Sequence, residues 1–585
     1  MNRFQLLRYY ISQYKLSYGL GILFIFATNW LAVTIPTYLK LSVDILSQGK
    51  DHLRSNLDEL YHYLIVMFVL ALLVIVVRTC SRILFFNPGR SIEYKLKNDL
   101  FTHLTKLQRD YYDRNETGSI ISRLQNDITG VRLICGFGMM QFFNIIASLS
   151  LTPYKMWELS PRLTLYCVVP VLMVFLIVRI GMKVVVGHTR ERMSRLQSLS
   201  AFIVSSLSGI DVIKNYGLAD WSEKEFDQHN QGLLNQSLRI SFVRSFLMPI
   251  LSNLENILKV LVLMVGGIYV IQGDFTIGEM TAFIAYTGLL TMPLMGLGWL
   301  TTLYQQGMVG MTSLETIINA KTPHEGMENL AAKTRKSLFD KGLTVKNLNF
   351  AYKGETVLTD ISFSILPGQT VGILGKIGAG KTSLVNCLNR YLEPPPGTVF
   401  LGDKDILKLS FEDLRRSVRT VSQDVFLFSE SVEQNILFGQ EATEHPGEEK
   451  VQNVVYESAL RDEVEHFPEQ LDTLVGEKGI MLSGGQKQRI SLARSMMEPC
   501  DLLILDNVLS AVDYETERFL LGEILKRKHS RSLLIVSHRV QALEGADLIL
   551  VLDEGNLVDQ GKHNELIGRP GLYRQTWELQ KAQQS

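Results

Sequence analysis

A run of eight residues in the second half of the chain, Gly375 to Thr382, has the spacing G-x-x-x-x-G-K-[ST] of a phosphate-binding loop. It follows a short apolar run, Thr370 to Leu374, and precedes a helical pattern from Ser383, which is the strand, loop and helix context that the motif requires. Backbone N–H groups of such a loop surround phosphates, while Lys381 reaches the outer phosphates and the Thr382 hydroxyl can bind Mg²⁺. The predicted nucleotide contacts here are Gly375, Gly378, Ala379, Gly380, Lys381, Thr382 and Ser383.

A second apolar run, Leu502 to Leu505, ends in Asp506. A carboxylate at the end of a strand beside the phosphate-binding loop is suited to hold Mg²⁺, directly or through water. We therefore expect ATP and Mg²⁺ as ligands, with Thr382, Gln423 and Asp506 as the candidate metal-binding residues.

The elements that position this site occupy the C-terminal part of a chain too long for one domain, at 585 residues. The first half carries six apolar runs long enough to cross a bilayer. Basic residues crowd the segment between Arg78 and Arg132, whereas the loop from Gly273 to Glu279 has none, so the long loops and both termini are predicted to be cytoplasmic. The six predicted spans are Leu16–Leu39, Tyr63–Phe86, Leu133–Tyr154, Leu163–Val186, Phe246–Gln272 and Met280–Leu303.

The predicted organisation is an α-helical membrane domain with long cytoplasmic helical extensions over residues 1–319, a polar linker over 320–340, and an α/β nucleotide-binding domain over 341–585. Lys plus Arg and Asp plus Glu both total 59, so the overall charge gives no reason to expect a nucleic-acid partner. We expect a multi-pass protein of a bacterial inner membrane.

The segment Leu482 to Gln486 reads LSGGQ, and with the loop described above it resembles the ATP-binding cassette (ABC) family. Along its whole length the chain resembles a half-size ABC exporter. The resemblance implies that Tyr352 stacks on adenine, that Gln423 links the γ-phosphate side to the membrane domain, and that His538 contacts the γ-phosphate. The LSGGQ segment, Leu482 to Gln486, is the signature of that family, and the resemblance implies that it contacts the nucleotide held by a partner cassette. The segment Ser510 to Asp513 is implied to contact nucleotide as well. The contacts implied in these two segments are Ser483, Gly484, Gly485, Gln486 and Asp513.

The position after Asp506 holds Asn507, where an ATP-hydrolysing site of this kind needs a Glu. A general base orients the attacking water and accepts its proton, which an amide cannot do. Such a base is worth about 10² to 10⁴ in rate. The site around Lys381 is therefore predicted to bind ATP and hydrolyse it slowly.

In the ABC family each ATP lies between the loop of one cassette and the signature of the other. An intact signature beside a missing base resembles the degenerate-site subunit of a heterodimeric multidrug-type exporter, with a second half-transporter as partner and membrane lipid around it. The expected cargo is a small hydrophobic or amphipathic compound. Three alternatives stay open: a homodimeric exporter of a dedicated lipid, peptide or thiol, a non-transporting ATP-gated regulator, and an engineered Asn507.

Glu255 and Lys259 lie four residues apart in the fifth span, on one helical face where they can form an ion pair. Charges within a span either pair for structure or contact cargo in a cavity. Met292 and Met295 in the sixth span are further candidates for an adaptable apolar cavity lining. These four residues are the predicted substrate-cavity positions.

Overall fold

The computed structural model divides the chain into two compact units, Met1–Leu107 with Tyr112–Lys321, and Gln108–Tyr111 with Thr322–Ser585. The side chain of Met295 is not among the parts of the chain that the structure describes. The structure describes residues 3–48, 54–323, 337–352, 354–440, 447–475, 482–508, 512–526 and 531–584.

The membrane unit is helical, and six of its helices are long and apolar enough to cross a bilayer. They run from 33 to 54 residues, so each extends beyond the roughly 20 residues that a span requires. This confirms the six predicted spans followed by a cassette. The helices are α1 Arg3–Ser12, α2 Lys15–Ser47, α3 Leu57–Leu104, α4 Arg109–Arg114, α5 Thr117–Leu159, α6 Pro161–Ser208, α7 Ile210–Asn215, α8 Ala219–Gln272 and α9 Ile277–Ile318.

Small and polar residues bring the membrane helices together. A Cβ on Gly307 of α9 would lie 2.9 Å from the Gly130 carbonyl oxygen of α5, so only glycine permits this approach. The Asn29 amide of α2 donates to the Asn144 side-chain oxygen of α5 at 3.0 Å. Such contacts substitute for the hydrophobic effect, which does not drive helix association in lipid.

The cassette contains two sheets. A four-stranded sheet has the order β2-β1-β4-β5, and a six-stranded sheet has the order β10-β9-β3-β8-β7-β6. In the second sheet β9, β3, β8, β7 and β6 are parallel, and β10 pairs antiparallel with β9. The strands are β1 Leu343–Tyr352, β2 Glu355–Ile365, β3 Thr370–Gly375, β4 Val399–Leu401, β5 Lys404–Asp405, β6 Val418–Val421, β7 Leu502–Asp506, β8 Ser532–Val536, β9 Leu548–Asp553 and β10 Asn556–Gly561.

Strands β3, β7 and β8 are fully buried along their length, as expected for a parallel sheet covered on both faces. Short 3₁₀ turns over Ile406–Lys408, Gln470–Asp472 and Gln541–Leu543 connect some elements. The cassette helices are α10 Lys381–Leu388, α11 Phe411–Ser417, α12 Val432–Ile436, α13 Gly447–Glu457, α14 Arg461–His466, α15 Gly484–Met496, α16 Tyr514–Lys526, α17 His563–Ile567 and α18 Leu572–Gln584.

Candidate functional site

The carboxyl ends of neighbouring parallel strands meet at one edge of the six-stranded sheet. The phosphate-binding loop follows β3, Gln423 follows β6, Asp506 ends β7 and His538 follows β8. Because ligands of open α/β sheets bind at this edge, four segments distant in sequence supply one site. They line a pocket of about 780 Å³.

The loop itself depends on glycine at the turn into α10. Gly380 has φ +91°, in the left-handed region, and a Cβ there would lie 2.9 Å from Leu358 Cδ2. Glycine adopts this conformation without steric cost. The loop residues predicted from the motif all line the pocket: Gly375, Gly378, Ala379, Gly380, Lys381, Thr382 and Ser383.

The Lys381 side chain folds back into the loop. Its Nζ donates to the carbonyl oxygens of Gly375 and Lys376, both at 2.7 Å. Burial lowers the pKa of Lys381, and the nearby Asp506 carboxylate opposes that shift. The amine is thus held at the base of the pocket, where it can neutralise phosphate charge.

Asp506 and Thr382 supply adjacent oxygen atoms. The Thr382 hydroxyl hydrogen-bonds to the Asp506 carboxylate, and burial raises the pKa of Asp506 despite that bond and the Lys381 charge. Hydroxyl and carboxylate oxygens suit Mg²⁺, which takes one or two protein ligands and completes its shell with phosphates and water. The described residues contain no cluster of three His, Cys, Asp or Glu side chains that could hold a metal ion. When bound, Mg²⁺ would neutralise charge on the phosphates.

Asn507 faces His538. Its Oδ1 lies 3.1 Å from His538 Nδ1, and its backbone N–H donates to the Val536 carbonyl at 3.0 Å. Asn507 adopts φ +53°, a left-handed conformation in which Asn is enriched over other non-glycine residues. Burial, then Arg539 and Lys381, lower the pKa of His538, which favours a neutral imidazole. Gln423 and both of these side chains line the same pocket.

The signature begins a different helix. Ser483 caps α15, its hydroxyl accepting from the Gln486 backbone N–H at 3.2 Å while Gln486 Oε1 accepts from the Ser483 N–H at 2.9 Å. Among the described residues, the pocket lining includes none of Ser483, Gly484, Gly485 and Gln486. The signature therefore presents the start of α15 elsewhere on the cassette.

Two further predicted nucleotide contacts also lie away from the described pocket lining. Tyr352 ends β1 opposite Glu355 and is 37% exposed. Asp513 precedes α16 and accepts from the Thr516 N–H and hydroxyl at 3.0 and 2.7 Å, bonds that lower its pKa. Ser510 of the same predicted segment is outside the described residues.

Sequence reasoning missed the last helix of the cassette. Leu572 and Thr576 of α18 line the pocket. The Gln580 side chain donates to the His538 carbonyl at 2.7 Å and accepts from the Val540 N–H at 2.9 Å. This helix carries no motif, so only its packing against the His538 segment connects it to the site.

The membrane unit holds its own cavity, of about 600 Å³, between α6, α8 and α9. Glu255 and Lys259 form an ion pair at 2.7 Å. Neither residue lines that cavity, and nor does Met292, which is 73% exposed. Met295 was the fourth candidate, and its side chain is outside the described part of the chain.

Comparison with known families agrees with this geometry. The family described as ABC transporter transmembrane region matches residues 18–294, and the family described as ABC transporter matches residues 358–510. The chain is 30% identical over 583 residues to the probable multidrug resistance ABC transporter ATP-binding/permease protein YheI of Bacillus subtilis, covering 98% of this chain and 97% of that protein. This chain belongs to the ABC transporter family, and it is a membrane-spanning exporter-type ATPase with one transmembrane region and one cassette.

Other relatives carry names of two kinds. The multidrug resistance-like ATP-binding protein MdlA of Escherichia coli is 27% identical, covering 92% of this chain and 90% of its own. The ATP-dependent lipid A-core flippase of Pseudomonas fluorescens is 30% identical, and the match covers 82% of this chain and 79% of that protein. A bacterial Atm1-family ABC exporter with ATP bound superposes with a TM-score of 0.81 at 22% identity, covering 96% of this chain and 97% of that one, which establishes a common fold.

Proposed function

We propose that this chain is the degenerate-site half of a heterodimeric exporter of hydrophobic or amphipathic compounds. The observation that carries the proposal is Asn507, which stands directly after Asp506 and places an amide oxygen 3.1 Å from His538. An amide cannot accept a proton from the attacking water, so hydrolysis at this site lacks its base. The remaining ligand set, Lys381, Thr382, Asp506 and Gln423, is present in the pocket.

We assign the signature, Leu482 to Gln486, to the partner's ATP site, because none of its described residues lines this chain's own pocket. In the proposed assembly, α15 of this chain completes the ATP site of a partner cassette that retains its catalytic carboxylate. ATP held at the slow site favours the closed cassettes, and hydrolysis at the partner's site reopens them, a population shift driven by differential binding. Multidrug names among the relatives support a hydrophobic cargo for this chain.

Composition of the complex is the first test. The tagged chain is purified in mild detergent from its own host, and the intact mass of the complex is measured. One copy of this chain with one different half-transporter, carrying Glu after its own strand-end Asp, is the expected result. A complex of two copies of this chain contradicts the heterodimer.

Two lesions in this chain then separate the roles of its two sites. A Cβ on Gly484 meets nothing within 4 Å, so Gly484→Asp fits the first turn of α15, where a carboxylate suits the helix dipole, yet it repels the phosphates of the partner's ATP. Asn507→Gly removes the local amide without strain, because glycine accepts φ +53°. Gly484→Asp should cost most of the steady-state ATPase and Asn507→Gly little, with Gly484→Ala as the matched control. Equal losses from both lesions would refute the asymmetry.

Restoring a carboxylate provides the converse experiment. Asn507→Asp is isosteric and tolerates the left-handed backbone, whereas Asn507→Glu gives the longer reach at a steric cost of about 1–2 kcal/mol. We expect Asn507→Glu to raise hydrolysis at this site in a complex whose partner lacks its catalytic Glu, with Asn507→Asp giving a smaller gain. Lack of any gain from both variants would show that the missing base is not the defect.

A further inference from the structure

The membrane cavity between α6, α8 and α9 has an uneven lining. Ten of its fifteen lining residues are aliphatic, aromatic or Met, and two are cations, Arg179 and Lys183 of α6. None of the lining residues described is acidic. An apolar cavity with a few convergent polar groups is the usual form of a small-molecule site, and its volume of about 600 Å³ falls in the common range.

The two cations occupy one face of α6, four residues apart. Among the residues that the structure describes, no carboxylate forms an ion pair with either one, in contrast to Lys259 of α8, which pairs with Glu255 at the same spacing. Like charges at this spacing repel each other. An anion bound between them would relieve that repulsion.

Depth along α6 gives the position of the cations in the bilayer. The helix begins at Pro161 on the predicted external side, so Arg179 and Lys183 lie 18 and 22 residues further on. At 1.5 Å per residue these offsets are about 27 and 33 Å, against a hydrocarbon core of about 30 Å. The cations therefore lie at the cytoplasmic boundary, where anionic headgroups are found.

Uncharged polar groups stand on the opposite wall. Thr301 and Gln305 of α9 line the cavity, and Thr301 donates its hydroxyl hydrogen to the Leu297 carbonyl at 3.1 Å, leaving the hydroxyl oxygen as an acceptor. Val174 and Leu254 are among the buried residues of the apolar lining. The cavity thus combines an apolar surface with two cations, Arg179 and Lys183. This combination matches a molecule that has an acyl chain and an acidic headgroup.

We propose that this cavity binds an acidic phospholipid of the cytoplasmic leaflet, with its acyl chain against Val174 and Leu254 and its headgroup on Arg179 and Lys183. This binding site goes beyond the proposed heterodimer and does not depend on it, because every group involved belongs to the membrane unit of this chain. Equilibrium lipid binding is the quantity to measure.

The test uses the full chain in the complex from which it is purified, in detergent, titrated with dioleoyl phosphatidylglycerol or dioleoyl phosphatidylcholine and read by native mass spectrometry. The two lipids share their acyl chains, so their affinity ratio reports the headgroup. A cation near the membrane surface contributes about 5-fold, and two contribute about 30-fold. We expect wild type to bind phosphatidylglycerol about 30-fold more tightly than phosphatidylcholine, and we expect Arg179→Gln with Lys183→Gln to abolish this preference. Arg78→Gln with Arg82→Gln, which neutralises two cations four residues apart on α3 outside the cavity lining, should keep it.

An occlusion variant distinguishes a site from loose adsorption. Gly298 lines the cavity, and a Cβ there meets nothing within 4 Å, so we expect the side chain of Gly298→Phe to fill part of the cavity. This variant should weaken binding of both lipids while leaving the melting temperature unchanged. Phosphatidylglycerol preference that survives the double cation variant, or undiminished lipid binding to Gly298→Phe, overturns the proposal. So does glycerol 3-phosphate, the headgroup chemistry without an acyl chain, if it competes at the same concentrations as the lipid.

Discussion

The nucleotide pocket of the cassette and the cavity of the membrane unit are similar in size, about 780 and 600 Å³, yet they are built differently. Ten consecutive residues, Leu374 to Ser383, line most of the first, and three strand ends, one residue of β2 and two residues of α18 complete it. Residues spread from Val171 to Gln305 on three helices line the second. A site on a contiguous loop has a readable sequence pattern, whereas a site between packed helices has none.

The charges of the two regions differ in the same way. In the cassette, Lys381 is fixed by two loop carbonyls and by the field of Asp506. In the membrane unit, Arg179 and Lys183 face an apolar cavity and have no acidic partner among the described residues. Fixed cations suit one invariant ligand group, the phosphates of ATP, and unpaired cations beside apolar surface suit ligands that vary in their chains.

The largest expected effect removes the fixed cation. Lys381→Ala should weaken ATP binding at this chain's site by about 10- to 100-fold, since a hydrogen bond to a charged group contributes about 1.5–3 kcal/mol. Photolabelling by an ATP analogue measures the loss. Lys341→Ala is the matched control, because this cassette lysine is 68% exposed, pairs with Asp403 at 2.5 Å and lies outside the pocket lining. Equal labelling of wild type and Lys381→Ala would show that the Lys381 cation does not contribute to ATP binding.

A smaller effect is expected from glycines of α9 that differ in their surroundings. Gly307 packs against Ile134 and Gly130 of α5, so Gly307→Leu overpacks the interface and should cost about 1–3 kcal/mol of stability. Gly298→Leu enters open space and should cost nothing. Thermal unfolding in detergent compares the two variants. If both melt alike, the close contact between α5 and α9 is not a determinant of stability.

Much of this architecture could be predicted from the sequence, for a physical reason. Apolar runs of fixed length specify spans, and Gly, Lys and Thr at fixed spacing specify a phosphate-binding loop, because each pattern is local. The contact between Gln580 and the His538 segment could not be predicted, since it joins positions 42 residues apart through packing alone. The cavity with Arg179 and Lys183 could not be predicted for the same reason. In the sequence these two residues are equally consistent with the cytoplasmic end of a membrane span, and only the packing of α6 beside α8 and α9 places them in a cavity lining.

The smallest expected effect concerns the membrane charges that are already paired. The pair between Glu255 and Lys259 spans 2.7 Å and lies outside the cavity lining, so its reversal by Glu255→Lys with Lys259→Glu should preserve the pair. Glu before Lys is the better order at this spacing, so the reversal should cost no more than about 0.5 kcal/mol. Transport, lipid preference and melting temperature should all stay near wild type. Lys259→Gln alone leaves a carboxylate unpaired within an apolar span and should lower the melting temperature more than the reversal does. A reversed pair that keeps stability but loses transport would show that Glu255 and Lys259 contact the cargo, and the division between structural and ligand-facing charges in the membrane unit would then have to be redrawn.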